Sequence, residues 1–230
     1  MTIEEGGHAA PPVQIRRAGT QLRPYKTMDE TLGTHYLEDS IASLRAYKKL
    51  AEKALDQLTD DEFFVTLDNE GNSVAVIMKH MAGNMLSRWT DFLTTDGEKP
   101  NRDRDMEFVV DPKSSKADLI DFWQRGWQCV FAALEPLSAG DLGRKVMIRG
   151  EEHTVIQAIN RQLMHYANHI GQIVFLAKHF RSAEWKSLSI PRNRSAEFNA
   201  YLSERPADAE KKRQLESGLE FSDKLNSQDQ

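Results

Sequence analysis

Apolar residues recur along most of this chain at intervals of three, four and seven, which is the spacing of amphipathic helices. The first run begins after Met28 and has its apolar stripe at Leu37, Ile41, Leu44, Ala51, Leu55 and Leu58. The second begins near Ser73, a residue suited to capping a helix, and continues to about residue 94. Two further runs cover about residues 115–135 and 154–180. The pattern therefore predicts four long helices.

The second and third predicted helices are separated by a long polar connection that contains Pro100 and Pro112. A connection of this length can cross over between helices that are not adjacent hairpin partners. We therefore predict an all-α protein, a four-helix bundle with one long crossover connection.

The two ends of the chain lack this periodicity. Residues 1–27 contain paired glycines and prolines, so we predict a flexible N-terminal extension. Residues 28–202 form the predicted bundle, including an irregular C-terminal segment. Residues 203–230 are strongly charged and poor in large apolar side chains, which favours a disordered tail or a stray helix.

Composition removes several classes of function. The formal net charge of −5 gives no attraction to nucleic acid or to an anionic membrane. No apolar run approaches the roughly 18 residues that span a bilayer. Cys129 is the single cysteine, which excludes an intrachain disulfide and favours a cytoplasmic location. Its apolar neighbours predict a core residue rather than a nucleophile.

Two of the seven histidines, His165 and His169, lie four residues apart within the fourth predicted helix. At this spacing their imidazoles are about 40° apart on one helix face, where one divalent ion can bridge them. Tyr166 follows the first histidine, so the glutamate base of the metalloprotease motif is missing. Chance pairs at this spacing are common, and the pair by itself is a weak indication of a metal site.

His80 strengthens that indication, because it lies at the margin of the second helix's apolar stripe, as the pair does on the fourth. Histidines at such margins can face each other across a cleft, or can simply bond backbone and water. Near them, Asn84 and Gln172 are candidate contacts to the ligands or the substrate. Arg88 could meet an anionic substrate group or form an ion pair, and His35 could face the mouth of the cleft.

Two segments together carry a family resemblance: KHMAGNMLSRW at residues 79–89 and HYANHIGQI at residues 165–173. With WKSLSIP at residues 185–191, they resemble the DinB-like (YfiT-like) metalloenzyme superfamily, and more narrowly an uncharacterised bacterial branch of it. The similarity covers about residues 28–200. It implies an antiparallel four-helix bundle with a long crossover, and a divalent ion bound at one end by His80, His165 and His169.

The resemblance also implies chemistry, because related proteins include S-transferases that use low-molecular-weight thiols such as bacillithiol or mycothiol, and many are dimers. Three imidazoles leave a zinc or nickel ion with open positions for water or substrate. We therefore expect a metal-dependent S-transferase that joins a small thiol to an electrophile, acts as a homodimer, and has neither nucleic acid nor membrane as partner. A metal-dependent hydrolase and a non-catalytic metal-binding or ligand-binding bundle remain alternatives.

Overall fold

The computed structural model describes residues 28–205 and 214–228, and this part of the chain is mostly helical. Its four long helices are α1 (Met28–Leu55), α3 (Val74–Trp89), α4 (Lys116–Leu134) and α5 (Val155–Arg181). Three shorter helices are α2 (Asp60–Phe64), α6 (Ser195–Ser203) and α7 (Gln214–Gln228). Single 3-10 turns occur at Asp105–Phe108, Ala139–Asp141 and Ser182–Glu184. The predicted all-α bundle is confirmed.

A small antiparallel hairpin precedes α5. Its strands are β1 (Lys145–Ile148) and β2 (Glu151–Thr154), and they form the one sheet of the described residues. Within the same described ranges, no helix has both the length and the apolar character needed to cross a bilayer.

Local sequence explains where the long helices begin. The Ser73 hydroxyl accepts the Val76 amide and caps α3, while Thr154 caps α5 in a reciprocal box with Gln157. α3 ends at Trp89, earlier than the spacing predicted. Asp91 adopts a left-handed backbone with φ of 48°, which a continuing right-handed helix cannot include.

The long crossover decides the direction of the helices. Gly126 of α4 lies against Ala82 of α3, and further along both helices Cys129 lies beside Thr90, so α3 and α4 run parallel. Residues 90–115 carry the chain back along the bundle between them, as a short hairpin loop could not. The predicted crossover is therefore confirmed, and it joins neighbouring helices that are not hairpin partners.

The other long helices form a second parallel pair. Tyr36, early in α1, donates to Asn160, early in α5, while Gln57 just beyond α1 bonds Lys186 just beyond α5. α1 is antiparallel to α4. Arg45 of α1 pairs with Glu135 at the end of α4, and Glu52, later in α1, accepts a hydrogen bond from Gln124, earlier in α4. The bundle is thus two parallel pairs set antiparallel to each other. Its largest fully buried side chains are Trp123, Trp127, Tyr166 and Phe63.

The C-terminal part contains a helix, one of the two outcomes expected for it. Residues 214–228 form α7, whose Leu219 and Phe221 are buried, and the Phe221 ring packs against Phe198 of α6. Asp223 also pairs with Lys53 of α1. Of the two expectations for this segment, the disordered tail is corrected and the helix holds over residues 214–228, because a few well-spaced apolar residues suffice when other elements supply the packing surface. The predicted extension over residues 1–27 lies outside the described residues, as do 206–213 and 229–230.

Candidate metal centre

Three histidines from α3 and α5 converge in the interior of the bundle. The Nε2 atom of His165 lies 3.2 Å from that of His80 and 3.1 Å from that of His169. One ring nitrogen from each of the three lies within 4.8 Å of the others. His80 is almost completely buried, while the other two are partly buried. The structure therefore brings together the three side chains nominated as ligands.

These separations suit a single divalent ion. Bonds of about 2.1 Å place two ligand nitrogens about 3.4 Å apart at a tetrahedral angle and about 3.0 Å apart at a right angle. The His165–His80 and His165–His169 distances lie between these limits. The three histidines could therefore hold a metal ion.

The outer nitrogen of His80 contacts a carboxylate that comes from the crossover. His80 Nδ1 lies 2.8 Å from Glu107 Oε2, and both side chains are buried. An ionised carboxylate only accepts hydrogen bonds, so Nδ1 carries the proton and the Nε2 lone pair faces the other histidines. Arg102 donates to both oxygens of Glu107, from Nε at 2.8 Å and from Nη2 at 2.9 Å.

Two neighbouring residues shape this contact. The ring of Phe108 stacks on the ring of His80, with centroids 4.9 Å apart. Gly83, on the helix turn after His80, leaves room for the carboxylate, because a Cβ there would lie 2.8 Å from the carboxyl carbon of Glu107. The crossover and α3 therefore interlock at His80.

The other two histidines have weaker outer partners. His169 Nδ1 lies 2.9 Å from Oε1 of Gln172, a neutral and exposed side chain one turn further along α5. His165 Nδ1 is buried, and no hydrogen-bond partner for it is found among residues 28–205 and 214–228. The three ligand candidates thus differ in their support: a buried carboxylate, an exposed amide and no partner.

Burial and the charge of neighbouring groups favour the neutral form of the His165 and His169 imidazoles. Burial, together with the nearby His169 and His80, lowers the pKa of His165 to about 3, and burial also lowers the pKa of His169. Burial opposes ionisation of Glu107, but hydrogen bonds from His80 and Arg102 outweigh it and lower the pKa of this carboxyl. At neutral pH the pair on α5 is therefore ready to donate lone pairs, and Glu107 is ionised.

The remaining candidate residues have other roles or lie elsewhere. The buried Asn84 accepts from the Tyr166 hydroxyl at 3.4 Å rather than contacting a histidine. Arg88 is buried against the crossover, where it donates to the Gly97 carbonyl and pairs with Glu98 at 2.9 Å. His35 is exposed on the first turns of α1, and it is not part of the histidine group found among the described residues. Only Gln172 touches a ligand candidate.

Glu107 and Arg102, which lie in the polar connection, were not predicted from the sequence. Neither has a helical spacing that relates it to a histidine, because the segment is irregular. One signal was present: Phe108, Val109 and Val110 interrupt an otherwise polar stretch. Such an apolar group indicates that the connection packs on the bundle at that point.

The fold and this cluster define a class: an all-helical bundle with a three-histidine arrangement that could hold one metal ion. A family model described as "Protein of unknown function (DUF1572)" matches residues 31–194. The chain belongs to this family, which is DinB/YfiT-like. No curated protein matches the sequence significantly.

Proposed function

We propose that this protein binds a divalent ion, zinc or nickel, through His80, His165 and His169, and acts as a metal-dependent S-transferase with a low-molecular-weight thiol. The convergence of three Nε2 atoms carries this proposal, since nitrogen donors at these separations match one ion. A divalent ion held by neutral imidazoles keeps its full charge and favours loss of the proton from a coordinating thiol.

The proposed thiol is a second substrate, because the single cysteine of the chain lies apart from the histidines. Cys129 is partly buried in the interface of α3 and α4 beside Thr90, and no contact connects it with the histidines. A surface depression of about 540 Å³ lies next to Gln172, and its lining combines amide and apolar side chains: Asn72, Asn168, Leu67 and Phe175. Its size and mixed lining suit a small molecule.

The hydrolase alternative requires a general base near the ion. The carboxylate nearest the histidines in the described residues is Glu107, and its oxygens already bond Arg102 and His80. A base held in this way is poorly placed to activate water, which favours transfer over hydrolysis. The non-catalytic alternative predicts metal binding without turnover, so experiment separates it from both.

Metal analysis of protein purified without an affinity tag tests the first half of the proposal. We expect close to one zinc or nickel per chain in the parent and a large loss in His165→Ala. The matched control is His35→Ala, which removes an exposed histidine from α1 and should leave the metal content unchanged. Equal metal content in the parent and His165→Ala would refute the site.

Thiol transfer is tested with the metal-loaded protein, a chlorinated fluorogenic electrophile and a panel of thiols. In the expected reaction a carbon–sulfur bond forms, chloride leaves and the thiol proton passes to solvent. The rate should exceed that of metal-depleted protein and of His165→Ala. Metal binding with no rate above these controls for any thiol would favour the non-catalytic bundle.

Two parts of the proposal concern context. A homodimer and a cytoplasmic location are expected from the family resemblance and from cysteine usage. Met164 and Phe175 on α5 expose 68% and 63% of their surface, which makes this helix face a candidate for self-association. Sedimentation of the parent beside Phe175→Glu measures the oligomeric state and tests that face.

A further inference from the structure

We infer that Glu107 is a positioning residue for the metal centre: by accepting the Nδ1 proton of His80, it aims the Nε2 lone pair at the ion and strengthens it as a ligand. This inference rests on the proposed metal site and adds to it a residue outside the helices that carry the histidines. It also gives the crossover connection a function beyond joining α3 to α4.

The first support is the identity of the atom that Glu107 contacts. Its oxygen lies 2.8 Å from Nδ1 of His80, while Nε2 of the same ring faces His165. A histidine ligand whose other nitrogen donates to a carboxylate has one tautomer and one ring orientation, and it is a more basic donor. The carboxylate thus acts on the ion through the ring.

The second support is that the carboxylate itself is held in place. Arg102 binds both of its oxygens, and Glu98 pairs with Arg102 at 3.1 Å and with Arg149 at 3.2 Å. The Glu107 side chain is 8% exposed and the Arg102 side chain is 5% exposed. A buried, two-pronged arginine contact fixes the direction of the carboxylate as well as its charge.

The third support is the space left for the carboxylate on α3. Glycine in a helix interior destabilises the helix relative to alanine, so its presence there calls for a steric reason. At Gly83 a Cβ would lie 2.8 Å from the Glu107 carboxyl carbon and could not fit while Arg102 and His80 hold that group. The absence of a side chain at Gly83 is therefore explained by the contact between Glu107 and His80, which needs this space.

The test measures zinc affinity by competition with a chromogenic chelator. Glu107→Gln should weaken binding by about 10- to 100-fold, the usual effect of losing a partner behind a metal ligand. The matched control is Glu62→Gln, which takes a carboxylate from Arg181, its partner at 3.3 Å, without touching a histidine or the crossover, and its zinc affinity should stay close to that of the parent. Equal losses in both variants would mean that the loss of a carboxylate, and not its contact with His80, weakens zinc binding.

Two further variants separate positioning from misfolding. Gly83→Ala keeps every charge but displaces the carboxylate, so it should weaken zinc binding in the same direction as Glu107→Gln, with helical circular dichroism unchanged. In a His80→Ala background, Glu107→Gln should cause no further loss, because the ring through which it acts is gone. A full additional loss in that background would overturn the inference.

The outcomes also separate this inference from the proposed function. If the parent binds no metal, the proposed site fails and Glu107 has nothing to position. If the parent binds zinc tightly and Glu107→Gln binds it equally well, the site stands and the positioning role is refuted. Long-range nitrogen NMR of His80 gives a second readout, since Glu107→Gln and Gly83→Ala should alter its Nδ1 signal.

Discussion

The two flanks of the histidine cluster are built differently. On the His80 flank, Glu107 and Arg102 form a buried ionic network that comes from the crossover. On the His169 flank the outer partner is Gln172, a neutral and exposed side chain of the same helix. The charged groups of the first flank are buried and paired, although Gly83, Arg102 and Glu107 also line a surface depression of about 770 Å³. The second flank borders the depression beside Gln172.

This difference indicates a division of roles. Buried charges that are fully paired restrict side-chain positions, although they add little net stability compared with apolar packing. An exposed amide can be replaced by water or by a substrate group at small cost. We therefore expect the His80 flank to set the geometry of the site and the His169 flank to admit the substrate.

The largest effect should come from breaking the buried network. Arg102→Met leaves the buried Glu107 without its cation, so the free energy of unfolding should fall by about 3–5 kcal/mol. Urea denaturation of the metal-free protein at pH 7.5 measures it. The control is Arg104→Met, because Arg104 is half exposed and lies 3.9 Å from Asp105. Its loss should be about 0–1 kcal/mol. Similar losses in both variants would contradict a buried, fully paired network on the His80 flank.

Acid should act on the histidines before it acts on Glu107. The pKa of His165 is lowered from 6.5 to about 3 in the folded protein, so between these values the unfolded chain binds more protons and stability falls as pH falls. The lowered pKa of Glu107 adds a loss only as pH falls below about 4.5.

Urea midpoints of the metal-free protein at pH 7.5 and 5.5 measure this first loss. His165→Gln, which cannot be protonated in this range, should show a smaller decrease between the two values. An equal decrease in the parent and in His165→Gln would assign the acid sensitivity to other groups.

The smallest effect should come from the exposed flank. Gln172→Ala removes one neutral hydrogen bond that water can replace, so zinc binding should weaken by about 1 kcal/mol or less. The same chelator competition measures it beside Glu107→Gln, which should lose clearly more. If Gln172→Ala lost as much zinc affinity as Glu107→Gln, the two flanks would support the ion equally.

Much of the fold could be predicted because it follows from sequence patterns within a few residues of each helix. Ser73 and Thr154 begin helices through hydrogen bonds to residues three positions away, and apolar spacing indicates which face is buried. The spacing of His165 and His169 follows from helix geometry alone. That His80 lies next to them could be predicted only from how the helices pack, and the family resemblance contributed to that prediction.

Other features depended on context that no local pattern contains. The end of α3 was predicted too late because Asp91 turns out of the helix. For residues 203–230 the sequence left a disordered tail and a stray helix both open, because the stability of the helix over residues 214–228 depends on contacts with α6 and α1. For Arg88 the sequence left a substrate contact and an ion pair both open, and the structure shows the ion pair, with Glu98 in the crossover.

By itself, the sequence determined the four long helices, the long connection and the histidines that share a helix face, because these follow from helical periodicity and nearby hydrogen bonds. Only the tertiary structure decided that α3 and α4 run parallel and that Glu107 stands behind His80. Glu107 and His80 are 27 positions apart, and an irregular connection has no period from which such a contact could be calculated.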